Sequence, residues 1–475
     1  MRRLYEKTLK RVFGYEAFRE GQRDVIEAVA DGQDVLAIMP TGAGKSLTFQ
    51  LPSYIKNDGL TIIVSPLLSL IEDQMLHIRE RGERGVARLT SMETLEEKQA
   101  ILNHLKRYRF LYLSPEQLAV PHVTRALART PIQMLVIDEA HCISQWGHEF
   151  RPEYARLGEL RKQLGSPQCM AVTATAPEAV KKDIIEKLAL FNPAQFVHSA
   201  NRPEIRLIVE RLLGEQKLPR LVELVRDVPK PAVVYTATRR EAESLALSLD
   251  DALFYHGGMS TEDRRLVQSQ FLRNEVAVMV CTSAFGMGVN KDNVRSVIHF
   301  QLPATLEAYM QEIGRAGRDG EAAFAVLLYA DGDERIQQFL IDQQYPKEKD
   351  IRVAYFEREN GTSLSHLPRL LRMNEEDPVF GLLKQMLSER TLAGAVDWVK
   401  ERKRDRYRQL GQMIDYALIK TCRRDYLLRY FSEQPIDQEP CCDVCGPIAF
   451  PENEQVVSKN VTDWKHRLSR IFSFD

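Results

Sequence analysis

One short segment limits this chain more than any other feature of its sequence. Residues 39–46 read Met-Pro-Thr-Gly-Ala-Gly-Lys-Ser, directly after an apolar run at 35–39 and before a helical pattern. A glycine-rich turn between a strand and a helix lets backbone N–H groups close around phosphate, while the lysine reaches the outer phosphates and the hydroxyl reaches Mg²⁺. The segment therefore predicts a P-loop, although Met39 stands where the general pattern has its first glycine. The predicted set is Thr41, Gly42, Ala43, Gly44, Lys45 and Ser46, with Ser46 as a magnesium ligand.

A second segment supplies the carboxylates that such a site needs. The apolar run at 134–137 ends in Asp138 and Glu139. We predict that Asp138 holds Mg²⁺ and that Glu139 orients and deprotonates the attacking water. An Asp-Glu pair after a strand is more often a solvated strand end, but the P-loop upstream favours the catalytic interpretation.

The first two thirds of the chain repeat one sequence pattern, in which a short apolar run is followed by a polar loop and an amphipathic helical segment. This pattern predicts α/β structure with two parallel-sheet lobes that meet near residues 200–203. Beyond residue 331 the strand signals stop, and 347–391 reads as three short helices, either a helix-turn-helix or simple packing. The predicted strands are 35–39, 61–64, 110–113, 134–137 and 169–173, then 232–235, 277–281, 294–299 and 325–329.

Composition excludes several classes of protein. The hydrophobic fraction of 44% and charged fraction of 28% describe a globular chain, and no apolar stretch is long enough to cross a membrane. The N-terminus lacks an apolar signal region, so we expect a cytoplasmic protein, associated with the nucleoid if the host is bacterial. The net charge is −1, so a polyanionic partner must bind local patches. Residues 400–430 form the clearest basic stretch, which either contacts DNA or is a solvated helix face with internal charge pairs.

Several segments together resemble the superfamily 2 helicases, and more narrowly the RecQ family. Asp-Glu-Ala-His at 138–141 and Thr-Ala-Thr at 173–175 carry the wider likeness. The narrower likeness rests on the segments 13–22, 142–152, 255–260, 282–291 and 311–320. The resemblance implies two RecA-like lobes and an ATPase that moves 3′ to 5′ on DNA.

The same resemblance assigns further residues. It implies that Gln22 reads the adenine edge with Arg19 beside it, and that the aromatic-rich loop at 142–152 couples DNA contact to hydrolysis. Core packing is the alternative for the aromatic residues of that loop. The implied DNA contacts are Ser65, Pro66, Ser114, Gln145, Trp146, His148, Phe150 and Arg151.

Two arginines in the segment 311–320 have a physical task if nucleotide lies between the lobes. Arg315 and Arg318 can reach across the cleft and stabilise charge on the transferring phosphoryl group, and we expect Arg318 to be the arginine finger. The alternative is a pair of ordinary surface arginines.

Four of the seven cysteines gather near the C-terminus. In a cytosolic chain this pattern favours metal over disulfide, and four thiolates suit a closed tetrahedral Zn²⁺ site. RecQ proteins carry such a site on a helical hairpin, but two of the cysteines here are adjacent, and a reduced cluster without metal is the alternative. The expected zinc ligands are Cys422, Cys441, Cys442 and Cys445.

The resulting expectation is an ATP-dependent 3′–5′ DNA helicase of repair and recombination that uses ATP, Mg²⁺ and Zn²⁺. Its expected partners are single-stranded and tailed or forked duplex DNA, single-stranded-DNA-binding protein and other repair proteins. The 30 residues after Cys445 are too few for the winged-helix and C-terminal helical domains of many relatives. This leaves open a translocase that unwinds little, an RNA helicase, or an ATP-gated clamp, with residues 347–391 as a substitute wedge. The expected regions are 1–200 (first lobe), 201–330 (second lobe), 331–399 (helical linker), 400–446 (zinc hairpin) and 447–475 (tail).

Overall fold

Two parallel β-sheets, one in each half of the chain before residue 331, position every predicted motif. The computed structural model describes residues 2–40, 42–56, 58–145, 152–285, 291–375, 377–435 and 440–451. In that part the first sheet has the order β3-β4-β2-β5-β6-β1-β7 and the second β10-β11-β9-β12-β13-β8. The strands are β1 (Val35–Ile38), β2 (Leu60–Val64), β3 (Val86–Leu89), β4 (Phe110–Leu113), β5 (Ile132–Ile137), β6 (Cys169–Thr173), β7 (Ala194–Val197), β8 (Ile205–Leu212), β9 (Ala232–Tyr235), β10 (Ala252–Tyr255), β11 (Val278–Cys281), β12 (Ser296–His299) and β13 (Ala323–Ala330).

Helices cover both faces of each sheet, as parallel sheets require. The helices are α1 (Arg2–Thr8), α2 (Gln22–Ala30), α3 (Lys45–Lys56), α4 (Leu68–Glu80), α5 (Leu95–Asn103), α6 (Pro115–Leu118), α7 (Pro121–Ala128), α8 (Cys142–Gln145), α9 (Pro152–Ala155), α10 (Leu157–Gln163), α11 (Glu178–Lys187), α12 (Lys217–Asp227), α13 (Arg239–Ser248), α14 (Thr261–Leu272), α15 (Leu306–Ile313), α16 (Glu334–Gln343), α17 (Glu348–Glu359), α18 (Leu367–Leu371), α19 (Pro378–Glu389), α20 (Leu392–Leu418) and α21 (Arg423–Tyr430). A π-helical turn at Leu9–Phe13 and 3₁₀ turns at Leu105–Arg107 and Gly214–Gln216 complete the set in the described residues.

The strand order of the first lobe brings its motifs together. β1 lies beside β6, with Ile38 opposite Thr173, and β6 lies beside β5. The carboxyl ends of these three strands therefore meet at one edge of the sheet, where ligands bind in open α/β folds. The P-loop follows β1, the carboxylates follow β5, and the segment 173–175 ends β6.

The α-rich region does not have a separate core. Tyr309 of α15, Phe380 of α19 and Tyr416 of α20 belong to one hydrophobic cluster with the strands of the second sheet. The cysteine segment also packs on this lobe, because Cys442 forms a β-bridge with Leu207 of β8. This bridge covers part of the edge of the second sheet. The second lobe and the helices after it are consequently one packed unit.

The three helices expected at 347–391 are present as α17, α18 and α19. α18 begins after His366, whose side chain makes no cap hydrogen bond. Beyond the cysteines, Phe450 packs on Phe324 of the second lobe, with ring centroids 5.1 Å apart. In the described ranges, no helix combines the length and the apolar character that crossing a bilayer requires.

Candidate active site

A cavity of about 360 Å³ lies between the two lobes and receives side chains from both. The first lobe contributes the P-loop, the carboxylates and the segment before α2. The second lobe contributes residues from the loop after α15. The predicted residues that line it are Arg19, Gln22, Gly42, Gly44, Lys45, Ser46, Asp138, Glu139, Arg315 and Arg318.

The two P-loop glycines meet strict geometric demands. Gly42 and Gly44 have φ values of +89° and +76°, which side chains with a Cβ rarely adopt. A Cβ on Gly44 would lie 2.4 Å from Nε2 of Gln22, and one on Gly42 would lie 3.1 Å from Cγ of Arg318. Lys45 then begins α3, so the helix N-terminus faces the cavity and favours an anion there. Thr41 lies outside the described residues.

Gln22 and Arg19 hold the P-loop by hydrogen bonds to its backbone. The Gln22 amide donates to the carbonyl oxygens of Ala43 (2.8 Å) and Gly44 (3.3 Å), and its oxygen accepts from the Arg19 backbone N–H (2.9 Å). The Arg19 guanidinium donates to the Gly42 carbonyl. Backbone carbonyl groups need hydrogen-bond donors, so these contacts stabilise the P-loop. In this structure Gln22 therefore supports the loop, and adenine recognition by the same amide stays a proposal.

The two carboxylates differ in their surroundings. Asp138 is buried, and its Oδ1 accepts from the backbone N–H of Glu139 at 2.9 Å. Burial and the neighbouring Glu139 carboxylate raise the pKa of Asp138. Burial also acts on Glu139, but the Lys45 ammonium, 3.6 Å from Oε1, and the imidazole of His141 outweigh it and lower the pKa of Glu139. Ser46 and Asp138 face the same cavity, so the residues present fit a Mg²⁺ ion held there.

Gln74, which was not predicted as a site residue, orients Asp138. Nε2 of Gln74, on α4, donates to Oδ2 of Asp138 at 2.9 Å. The hydroxyl of Tyr112 donates to Oε1 of Gln74 at 3.0 Å, which fixes the amide so that its NH₂ group faces the carboxylate. A single glutamine in an amphipathic helix gives no spacing signal, so only the fold could reveal this contact.

His141 connects the carboxylates to both β6 and the second lobe. Its Nδ1 lies 2.8 Å from Thr173 Oγ1 and 3.3 Å from Glu139 Oε2. Its Nε2 lies 3.3 Å from the amide nitrogen of Gln311, on α15. His141 and Gln311 both stand inside motifs identified in the sequence, but no role followed from their positions alone.

The two predicted arginines lie together at the second-lobe wall of the cavity. Arg318 packs against Gly42, so it reaches the P-loop across the cleft. Burial and the adjacent Arg315 lower the pKa of Arg318 to about 9. Two guanidinium groups held close together in a buried place favour an anion between the lobes. They are therefore not the ordinary surface arginines of the alternative interpretation.

The predicted DNA contacts have different outcomes. Ser65 is fully buried at the end of β2, and Pro66 is buried beside it, so neither side chain reaches the surface in this structure. Ser114 caps α6 by accepting from the backbone N–H of Gln117. Gln145 ends α8, but its side chain is not described. Trp146, His148, Phe150 and Arg151 lie outside the described residues.

The basic stretch at 400–430 is partly occupied by contacts within the protein. Lys400 pairs with Glu348, and Lys403 pairs with Asp342. Tyr416 is fully buried. Ion pairs within the protein therefore engage part of this basic stretch.

The four C-terminal cysteines form a compact cluster with all four sulfur atoms within 4.8 Å of one another. A tetrahedral zinc site with Zn–S bonds of about 2.3 Å places its sulfurs about 3.8 Å apart. The measured Sγ–Sγ distances are 3.3 Å for Cys422–Cys441, 3.7 Å for Cys441–Cys445 and 3.4 Å for Cys442–Cys445. The cluster thus fits Zn²⁺, and the adjacent Cys441 and Cys442 both belong to it.

Comparison with known proteins agrees with this geometry. Three family models match: DEAD/DEAH box helicase at residues 19–183, helicase conserved C-terminal domain at 216–320, and RecQ zinc-binding at 380–446. The chain is 42% identical over 486 residues to the probable ATP-dependent DNA helicase RecS of Bacillus subtilis, with 98% of each protein covered. The chain belongs to the RecQ family of helicases. It is also 37% identical over 450 residues to the ATP-dependent DNA helicase RecQ of Haemophilus influenzae, of which it spans 62%.

Solved structures of other helicases share the fold of the two lobes. Helicase Lhr of Mycobacterium smegmatis, bound to single-stranded DNA and AMP-PNP, matches with a TM-score of 0.57 and 21% identity over 72% of this chain and 49% of that one. Dbp5 of S. cerevisiae, bound to RNA and ADP BeF3, matches with a TM-score of 0.58 and 18% identity over 71% of this chain and 90% of that one. These neighbours confirm two RecA-like lobes. The expected cofactors ATP, Mg²⁺ and Zn²⁺ are those of this family and fit the residues present.

Proposed function

We propose that this RecQ-family chain hydrolyses ATP in the cleft between its lobes and uses the resulting opening and closing to move 3′ to 5′ on single-stranded DNA. Lys45 would contact the β- and γ-phosphates of bound ATP, and Ser46 and Asp138 would hold a magnesium ion, which would neutralise phosphate charge. Glu139 orients the attacking water and accepts its proton. Arg315 and Arg318 stabilise the charge on the transferring phosphoryl group. The observation that supports this proposal is that the side-chain stem of Arg318 lies next to Gly42, while Arg315 and Arg318 line the same cavity as Lys45.

DNA contact is proposed for Ser114 and for the residues 145–151, including Trp146 and Phe150. Their polar and aromatic side chains suit contact with the DNA backbone and base stacking, which carry little sequence information. Because Ser65 and Pro66 are buried, contact at that segment is proposed through its backbone and the start of α4. Strand separation is proposed for α17–α19. The regions 1–200, 201–330, 331–399, 400–446 and 447–475 remain our proposed division of the chain.

The proposed setting is DNA repair and recombination in the cytoplasm, at the nucleoid in a bacterial host. Tailed and forked duplexes are the proposed substrates. Single-stranded-DNA-binding protein is a proposed partner, because translocation leaves single strands for it to cover.

Strand displacement tests the proposal. The purified protein, with Mg²⁺ and ATP, is given duplexes that carry a 3′ or a 5′ single-stranded tail, and a Glu139→Gln variant serves as control. We expect displacement of the 3′-tailed duplex alone and none by the variant. Displacement from the 5′ tail alone would contradict the direction of movement. ATP turnover stimulated by single strands without displacement would favour a translocase that unwinds little.

A further inference from the structure

Helix α21, which follows the clustered residue Cys422, hydrogen-bonds to the linker between the two lobes. Arg424, in the first turn of α21, is only 4% exposed. Its guanidinium donates to Oδ1 of Asn201 and to the carbonyl oxygen of Arg202, both at 2.8 Å, and to the carbonyl of Ile205. These acceptors lie between β7 of the first sheet and β8 of the second, or at the start of β8. The zinc region therefore holds the interlobe linker through a buried cation.

The far end of the same helix makes a second contact with the linker. The carboxylate of Glu433, just beyond α21, accepts from the backbone N–H of Ala200 at 2.7 Å and from the hydroxyl of Ser199. Both ends of α21 are thus attached to a few consecutive linker residues. Such a pair of attachments fixes the direction of the linker as well as its position.

The linker also hydrogen-bonds to the loop that carries Arg318, the proposed arginine finger. The guanidinium of Arg202 donates to the carbonyl oxygen of Gly314 at 3.0 Å and to that of Ala316 at 2.8 Å. These two carbonyls flank Arg315. Glu204 pairs with the Arg202 guanidinium and orients it. The Arg202 guanidinium therefore fixes the backbone on both sides of Arg315.

A parallel contact reaches the helix before this loop. The Tyr430 hydroxyl, at the end of α21, donates to the Glu307 carboxylate at 2.5 Å, and Glu307 lies in the first turn of α15. α15 leads directly into Gly314. Two routes therefore run from α21 to the arginine loop, one through the linker and one through α15.

We infer that Arg424 and Arg202 are positioning residues for ATP hydrolysis, through which the zinc-binding region sets the placement of Arg315 and Arg318 against the P-loop. This inference rests on the proposed function of those two arginines. Neither Arg424 nor Arg202 lines the nucleotide cavity, so their effect is on geometry rather than on nucleotide contact. Catalysis is sensitive to such placement, because a shift of about 1 Å in a reacting group can cost about a hundredfold in rate.

The experiment compares Arg424→Gln with the unchanged protein and with Arg211→Gln. Arg211 is a matched control, because it is an exposed arginine of the adjoining strand β8 that pairs only with exposed Asp331 among the ion pairs of the described residues. We expect Arg424→Gln to lower kcat for ATP about tenfold or more, with KM and the affinity for a fluorescent ADP analogue within about twofold. Affinity for ADP with aluminium fluoride, which mimics the transferring phosphoryl group, should fall with kcat. Zinc content and melting temperature establish that the variant is folded.

A double variant distinguishes a failure of this inference from a failure of the proposed function on which it rests. In a chain that already carries Arg318→Ala, Arg424→Gln should cause little further loss of kcat, because both changes remove the same interaction. Full additivity of the two losses would overturn the inference, and so would an unchanged kcat in Arg424→Gln. If Arg318→Ala alone leaves kcat unchanged, the proposed finger fails instead. Arg202→Gln, which leaves α21 intact, should repeat the kcat loss if Arg424→Gln proves unstable.

Discussion

The two walls of the nucleotide cleft are built in different ways. The first-lobe wall is held by neighbours within its own lobe, since Gln22 supports the P-loop and Gln74 orients Asp138. The second-lobe wall offers Arg315 and Arg318 from a loop that is held by the interlobe linker. From this difference we propose that the first lobe can bind nucleotide by itself, while hydrolysis depends on the relative placement of both lobes.

The largest effect should come from the first-lobe wall itself. Lys45→Ala removes the cation that pairs with the Glu139 carboxylate and that we propose contacts the phosphates of ATP. We expect ATP turnover to fall by roughly a thousandfold or more, with weaker nucleotide binding as well, because the lysine acts on both ground state and transition state. Steady-state turnover and binding of a fluorescent ATP analogue check this. Near-normal turnover would remove the P-loop assignment.

A change in the cysteine cluster should act mainly on the second-lobe wall. Cys445→Ser removes one of the four clustered thiols. We expect lower zinc content, a lower melting temperature and a kcat reduced about tenfold, whereas ADP affinity should change little. Zinc analysis, thermal unfolding and nucleotide titration on one preparation test this together. A parallel loss of ADP affinity would show that the two walls are not independent.

Gln74 tests how strongly the first-lobe wall depends on its internal hydrogen bonds. Gln74→Met keeps the side-chain length but removes the donor to Asp138. We expect kcat to fall about tenfold, and the Mg²⁺ concentration for half-maximal nucleotide binding to rise several-fold. Tyr112→Phe, which leaves the Gln74 amide but removes the donor that orients it, should give a smaller change in the same direction. Unchanged Mg²⁺ dependence in both variants would contradict the orienting role.

The smallest expected effect concerns a contact between the walls. Asp73 on α4 hydrogen-bonds to Gln268 on α14, and burial raises the pKa of Asp73 to about 6. Closing the lobes around this carboxyl therefore takes up a proton between its ordinary pKa of 3.8 and about 6. Closure is favoured most at the acid end of this range, weakens as the pH rises to about 6, and does not depend on the titration of Asp73 above it. Asp73→Asn should flatten this component of the pH dependence of apparent ATP affinity between about pH 4 and 6. An identical pH profile in the variant would show that Asp73 is not part of closure.

The predicted and missed strands show what the sequence reveals. Every predicted strand is an interior strand of its sheet, where burial on both faces produces a continuous apolar run. The four unpredicted strands are the four sheet edges in the described residues: β3, β7, β8 and β10. Edge strands are partly solvated and carry polar residues such as Arg88 of β3, so their pattern resembles that of loops.

The residues of the site also differ in whether a local sequence pattern predicts them. Lys45, Asp138 and Glu139 could be predicted because phosphate chemistry demands these residue types in one short pattern. Gln74 and Arg202 could not, because their partners are 64 and 112 or more residues away in sequence. Contacts between distant segments leave no local spacing. The fold alone reveals them.

We propose that nucleotide binding belongs to the first-lobe wall and hydrolysis to both walls. Arg318→Ala, with fluorescent ADP affinity and kcat measured on the same sample, separates the two functions. We expect a kcat lower by about a thousandfold and an ADP affinity within about twofold of the unchanged protein. An equal loss of affinity and turnover, or no loss of turnover, would contradict this proposal.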